Sequence, residues 1–247
     1  MDVDGHLVEL REQGYCVLKG LLSVESVEDA RRAFWSVLTD YLAAHSDTSN
    51  HGPHRHFVAM PFEPPVFAPE FFFDPKVLRI VRGVLDERMV ADQWGCDVPV
   101  LGSEFQEAHV DYARPLFPEA PDLRLPWYMV VVSFGLARID EEDGAIEIAA
   151  GTHSMMRAEA ERAVACGEIP LRAVPLEVGD MLIRHPWKFH RGTPNRTKTP
   201  RALVTIRYVR RWYEDRSREA LAIPLKVWES LAAEQRTLLR FRVEDDR

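Results

Sequence analysis

The residues with the clearest capacity for chemistry are His109 and Asp111, two positions apart in His109-Val110-Asp111. Successive side chains of a strand point to opposite faces, so residues at i and i+2 can offer an imidazole and a carboxylate to one ion. Such a triplet arises by chance in many chains, and its meaning depends on a third donor. Downstream, Met181-Leu182-Ile183 has the character of an apolar strand and runs into His185-Pro186-Trp187-Lys188-Phe189-His190, which offers two further histidines. Two histidines and one carboxylate occupy one face of an iron(II) ion and leave the opposite positions open to small ligands. His190 is the better third ligand: Pro186 interrupts the strand after His185, which is expected to be a structural histidine. After His190 comes a turn-rich loop, and a new strand is expected from Arg201 through Ile206, in a hairpin that returns Arg201 beside His190. A buried guanidinium fits a carboxylate in bidentate fashion, so Arg201 is suited to anchor the far end of a dicarboxylate whose other end chelates the metal.

These positions need a sheet to bring them together. From Met89 to Val209 the chain consists of short apolar or alternating runs broken by turn residues such as Asp143-Gly144 and Gly179-Asp180, the pattern of an antiparallel sandwich or barrel. A helical insertion is expected near Met155 to Cys166 and a closing helix near Leu225 to Leu239. Before the sheet, a short helix spans His6 to Arg11 and a strand Gly14 to Leu18, and Ser23 caps an amphipathic helix from Val24 to Ala44. Asp74-Pro75 starts a second covering helix, and Phe71-Phe72-Phe73 beside it reads as core. The stretch from His45 to Pro69, rich in Pro and His, is expected to be a long ordered loop. The fold class expected is therefore an all-β core with flanking helices, in the form of a jelly roll. A single domain over 1–247 is expected, with covering helices over about 1–88, the core over about 89–213 and a helical segment over about 214–247.

Composition narrows the partners. Thirty-one Lys and Arg against 39 Asp and Glu give a formal charge of -8, which repels nucleic acid and anionic lipid. A basic run from Arg207 to Arg218 contains Glu214 and Asp215, with Glu219 beside it, and reads as a solvated surface or an anion-facing rim. Cys16, Cys96 and Cys166 are odd in number and widely spaced, which predicts no disulfide framework. The acidic start and the lack of a long apolar run predict a cytoplasmic protein with no membrane partner, and oligomeric state is not legible.

In order along the chain, Gly14-Tyr15-Cys16-Val17-Leu18-Lys19-Gly20, His109-Val110-Asp111, Gly144-Ala145-Ile146-Glu147-Ile148-Ala149-Ala150-Gly151-Thr152-His153, and His190 followed eleven residues later by Arg201 resemble the phytanoyl-CoA dioxygenase family of iron(II) and 2-oxoglutarate oxygenases. The resemblance spans about Gly14 to Tyr213. It implies a double-stranded β-helix of the cupin-like kind, iron held by His109, Asp111 and His190, 2-oxoglutarate and dioxygen as co-substrates, and Arg201 on the distal carboxylate. Family members often carry a small hydroxyl residue two positions after the distal histidine; this chain has Gly192 there, with Thr193 next as the nearest candidate co-substrate contact. Ser133, eleven residues before Gly144, falls where another co-substrate neighbour would sit. Members also tend to have proline where this chain has Ala150. Related halogenases replace the carboxylate with a small residue to admit chloride, so Asp111 favours hydroxylation or another C–H oxidation.

The remaining candidates concern the substrate. His51, His54 and His56 are expected near the active-site mouth, with His56 as a contact. Tyr112, Arg114 and Trp127 flank or follow the metal triplet as candidate pocket residues, Trp127 being equally suited to packing between sheets, and His153 belongs to a turn that stabilises the barrel. The absence of a basic stripe favours a free small metabolite over a CoA thioester. Two rival functions use the same residues. A catalytically silent jelly-roll binding protein would not need the full ligand set, and a zinc-dependent hydrolase would assign no task to Arg201.

Overall fold

The computed structural model describes residues 2–45, 49–111, 116, 117, 119, 123, 125–214 and 221–245. The chain opens with α1 (Val3–Gln13), β1 (Tyr15–Leu18) and α2 (Val24–Ala44), then β2 (Arg55–Ala59), α3 (Pro69–Phe73) and α4 (Pro75–Val84). The central part holds β3 (Val90–Pro99), β4 (Met129–Gly135), β5 (Glu147–Ile148), α5 (Arg157–Ala165), β6 (Arg172–Ala173), β7 (Met181–Arg184), β8 (His190–Arg191) and β9 (Leu203–Val209). It closes with β10 (Ala222–Pro224), α6 (Leu225–Ser230), α7 (Ala233–Thr237) and β11 (Arg242–Glu244).

Local chemistry sets the covering helices. The Ser23 hydroxyl accepts from Ser26 N at 3.0 Å and starts α2, while the Asp74 carboxylate accepts from Lys76 N at 2.8 Å and Val77 N at 3.1 Å ahead of Pro75. Gly14 ends α1 in the left-handed conformation, φ 77°. Val27, Ala30, Phe34 and Leu38 form the buried stripe of α2, at the spacing of one helix face.

Six strands pair in the order β1-β7-β4-β9-β3-β2, and a three-stranded sheet, β6-β5-β8, faces them to complete a jelly roll. Alternation divides the large sheet into two chemistries. Val130, Val132, Phe134, Ile183, Val204, Ile206 and Tyr208 pack under the helices with Phe34, Leu38, Ile80 and Val81. The opposite face carries Leu182 and Leu203, which pack on Ile146 and Ile148 from the small-sheet side. The register pairs Val131 with Arg184 and Arg207, Ser133 with Thr205, and Leu203 with Asp97, so these polar residues share the inner face. The sheet thus points its polar groups into the space between the layers.

Several expectations change. The 45–69 stretch is not all loop: β2 forms one edge of the large sheet, while the strand expected at Gly14 to Leu18 is β1 and forms the other edge. The C-terminal helix is broken at Leu231, which is extended and 4% exposed, and α7 restarts where Gln235 Oε1 accepts from Ala232 N. The strand expected from Arg201 begins at Leu203. Arg207 is no rim residue; it is 2% exposed and forks onto Asp92 at 2.7 and 3.1 Å. Residues 215–218 of the basic run, and Glu219 beside it, lie outside the described residues. Among the described residues no helix is long and apolar enough to cross a membrane, and Cys16, Cys96 and Cys166 are free.

Candidate metal and co-substrate site

His109 and His190 exchange a reciprocal pair of backbone hydrogen bonds, N to O at 2.9 Å in each direction. The Asp111 amide then donates to Pro186 O at 2.9 Å. These three bonds lock the triplet against the segment leading into β8, and the i, i+2 geometry holds although only a single bridge forms at His109. Each ring is oriented by its own backbone: His109 Nδ1 lies 2.8 Å from Glu107 O, and His190 Nδ1 lies 3.0 Å from Lys188 O. A carbonyl accepts only, so both Nδ1 atoms carry the proton and both Nε2 lone pairs are left free. Asp111 Oδ1 is 3.6 Å from His190 Nε2 and 4.0 Å from His109 Nε2, and one donor atom from each residue falls within 4.8 Å of the others. One ion with bonds of about 2.0–2.2 Å fits such a set with small side-chain adjustments.

The electrostatics prepare the donors. Burial by itself favours the protonated acid, but the Arg184 guanidinium, which donates to Oδ2 at 2.7 Å, holds Asp111 well below the usual carboxylate range. Burial pushes His190 down to about 4 against the pull of Asp111, so the ring is neutral and ready to ligate at physiological pH. Lys188, fully buried with an Nζ that has no hydrogen-bond partner, is also pushed well down by burial, with Arg184 adding to the effect.

Acid sensitivity of the metal-free protein follows. Burial lowers His56, His153, His185 and His190. In the unfolded chain these rings protonate near pH 6.5, whereas the folded chain keeps them neutral to lower pH, so the unfolded state binds more protons in between. Stability is full above about pH 6.5 and falls as pH drops towards 4. By pH 5 the loss from His190 alone is about 2 kcal/mol. The melting temperature of apo protein at pH 5.0 is expected several degrees below that at pH 7.5; equal values would contradict these buried neutral rings.

The second half of the site surrounds Arg201, which is 4% exposed. Its Nη1 donates to Asp97 Oδ2 at 3.1 Å and its Nη2 to Gly144 O at 2.9 Å, while Nε has no partner. Arg55, 1% exposed, donates to the same Asp97 oxygen at 3.1 Å and to Thr193 O at 2.7 Å. Two buried guanidinium groups thus share one carboxylate and leave a net positive charge suited to an anion. Arg201 does not arrive by a hairpin. β8 and β9 belong to different sheets, and the connection crosses between them, held by Asn195 Nδ2 on Pro99 O and Thr199 O. Gly144 makes the approach possible: its φ is +90°, and a Cβ there would stand 2.9 Å from Thr193 O.

The other candidates scatter. Thr193 Oγ1 donates to Ala145 O at 2.7 Å and serves the packing of its loop. Ser133 is fully buried, 3.4 Å from Thr205 Oγ1 on the inner face. His56 is 5% exposed and sits edge-on to Tyr41 of α2, and alternation aims Arg55, not His56, at the inner face. Trp127 packs on His153 and His185, and His153 Nε2 binds Arg11 O at 3.0 Å, so this group ties α1 to the barrel. Tyr112 and Arg114 lie outside the described residues. Arg55, Asp97 and Arg184 were not anticipated. The glycine at 192 pointed to one of them, since a Cβ there would stand 2.5 Å from the Arg55 guanidinium carbon.

A jelly roll that gathers two free Nε2 atoms and a carboxylate within 4.8 Å, and that buries Arg55 and Arg201 around Asp97, defines the class of two-histidine, one-carboxylate metal jelly rolls. The chain belongs to the phytanoyl-CoA dioxygenase (PhyH) family, whose model matches residues 10–203. Among solved structures it is similar to the non-haem α-ketoglutarate-dependent epimerase SnoN from nogalamycin biosynthesis, at TM-score 0.63 and 17% identity over 84% of this chain and 82% of that one. AviO1 from Streptomyces viridochromogenes superposes at TM-score 0.66 and 15% identity over 87% and 97% of the two chains. HygX from Streptomyces hygroscopicus, with nickel, 2-oxoglutarate and hygromycin B bound, gives 0.62 and 19% over 89% and 90%.

Proposed function

We propose that this chain is an iron(II)- and 2-oxoglutarate-dependent dioxygenase that oxidises an unactivated C–H bond of a small metabolite, with hydroxylation the simplest outcome. His109 Nε2, Asp111 Oδ1 and His190 Nε2 hold the iron, and Arg201, with Arg55 beside it, receives the distal carboxylate of 2-oxoglutarate. Bound iron(II), with 2-oxoglutarate and dioxygen, supplies a strong C–H oxidant while the 2-oxo acid becomes succinate and carbon dioxide. The protein's own part is positional: carbonyl-fixed imidazoles, an ionised carboxylate, and two buried guanidinium groups that share one carboxylate and whose bonds to it the incoming dianion would take over. The observation that carries this reading is the convergence of the three donor atoms within 4.8 Å, in a member of the PhyH family.

The solved relatives favour a small-molecule substrate, since HygX holds hygromycin B and SnoN acts in nogalamycin biosynthesis. SnoN is an epimerase, which keeps oxidations other than hydroxylation within the same reading. A zinc hydrolase built on the same three ligands would leave the buried pair Arg55 and Arg201 without a task. The test is succinate release with a panel of candidate metabolites. Succinate should form only when iron(II), 2-oxoglutarate and dioxygen are all present. Zinc-supported hydrolysis that is indifferent to 2-oxoglutarate would contradict the proposal.

A further inference from the structure

Asp111 uses its two carboxylate oxygens differently. Oδ1 faces the imidazoles, at 3.6 Å from His190 Nε2 and 4.0 Å from His109 Nε2, whereas Oδ2 accepts from Arg184 Nη1 at 2.7 Å. Arg184 is the last residue of β7, its side chain 10% exposed, and its pairing opposite Val131 turns it onto the inner face. It follows Met181, Leu182 and Ile183, all fully buried, at a place where another apolar residue would continue the strand. Among the described residues no other group donates to Oδ2. Lys188, the other buried basic side chain near Asp111, makes no hydrogen bond through Nζ and so does not share the task. A buried guanidinium carries a desolvation cost that one ion pair roughly offsets, so stability alone gives little reason for arginine at this position.

We infer that Arg184 is a positioning residue that reserves Oδ2 of Asp111, so that this carboxylate binds the metal through Oδ1 alone. The inference rests on the iron(II) reading above. A carboxylate can bind a cation through one oxygen or through both. On a six-coordinate ion, His109, His190 and Oδ1 leave half of the positions open, and a chelating 2-oxo acid together with dioxygen needs them all. A second oxygen from Asp111 would occupy one of those positions. Replacing Arg184 also removes a positive charge close to the metal, which favours the cation. Loss of Arg184 therefore leaves metal affinity equal or tighter and weakens 2-oxoglutarate, a split that general damage to the fold does not produce.

The test uses the full chain loaded anaerobically with manganese(II), comparing wild type, Arg184→Met and Arg184→Lys, with Arg184→Gln as a second removal variant should the Met variant be insoluble. The number of water molecules on the metal is read from line broadening of the manganese signal in oxygen-17 water, before 2-oxoglutarate is titrated. The removal variant should show one water fewer than wild type, unweakened manganese affinity and a 2-oxoglutarate dissociation constant raised on the order of tenfold. Arg184→Lys, which keeps a charged donor, should return towards wild type on all three. An unchanged water count, an unchanged 2-oxoglutarate affinity, or a manganese affinity that falls together with it overturns the inference. A wild-type chain that binds manganese and shows no metal-dependent affinity for 2-oxoglutarate overturns the iron reading itself, and this inference with it.

Discussion

Replacement of His190 by alanine is expected to lower iron-dependent succinate formation by on the order of a thousandfold or more. His190 is the most enclosed of the three donors, its side chain 6% exposed against 36% for His109 and 25% for Asp111. Without it, two partly solvated groups remain, and they cannot fix an ion against water in a defined orientation. The ion's contribution to the barrier is several kcal/mol, and each step of about 1.4 kcal/mol is tenfold in rate. The fold should persist, because the bonds joining this segment to His109 run through the backbone and survive truncation of the ring. Initial rates with saturating iron(II), together with metal content after desalting, check this. A variant that retains iron and turns over within tenfold of wild type would remove His190 from the metal site.

Arg201→Met should act on the co-substrate and spare the metal. In the native protein Arg55 and Arg201 outnumber Asp97 by one charge; in the variant Arg55 and Asp97 cancel, and the positive potential proposed to receive a distal carboxylate would be gone. Truncating one member of a buried, hydrogen-bonded charge pair costs about 2–5 kcal/mol, so half-saturation by 2-oxoglutarate should rise roughly 30-fold to several thousandfold. Metal affinity should stay near that of wild type, since Arg201 touches none of the three donors. Arg201→Lys should recover only part of the loss, because an ammonium brings charge without the fork. The dependence of initial rate on 2-oxoglutarate is the measurement, and a half-saturation point within twofold of wild type would contradict the anchor.

How much of this could be read in advance depends on how local the deciding interaction is. The span of α2 and the capping of α4 by Asp74 depend on neighbours three or four residues apart, and the sequence displays them openly. His109 and Asp111 are legible for the same reason, since two residues suffice to put both side chains on one side. The edge strand β2 is not. Arg55 and His56 look like loop residues, and they are buried only because Asp97, 42 positions away, and Tyr41 receive them. The partnership of Arg184 with Asp111 spans 73 positions and leaves no local trace beyond a charge closing an apolar strand. Arg201 is a buried guanidinium, as the sequence suggests, but it is not the far arm of a hairpin, because turn residues announce a reversal and say nothing about which sheet the chain rejoins.

Anaerobic titration of the protein with iron(II) and then 2-oxoglutarate tests the central claim most directly. A weak visible charge-transfer band should appear when both are present, saturate at one equivalent of each, and be absent from His190→Ala. A wild-type protein that binds iron(II) and develops no band at saturating 2-oxoglutarate, or a band that survives in His190→Ala, would contradict the assignment of these three side chains to a 2-oxoglutarate-dependent iron centre.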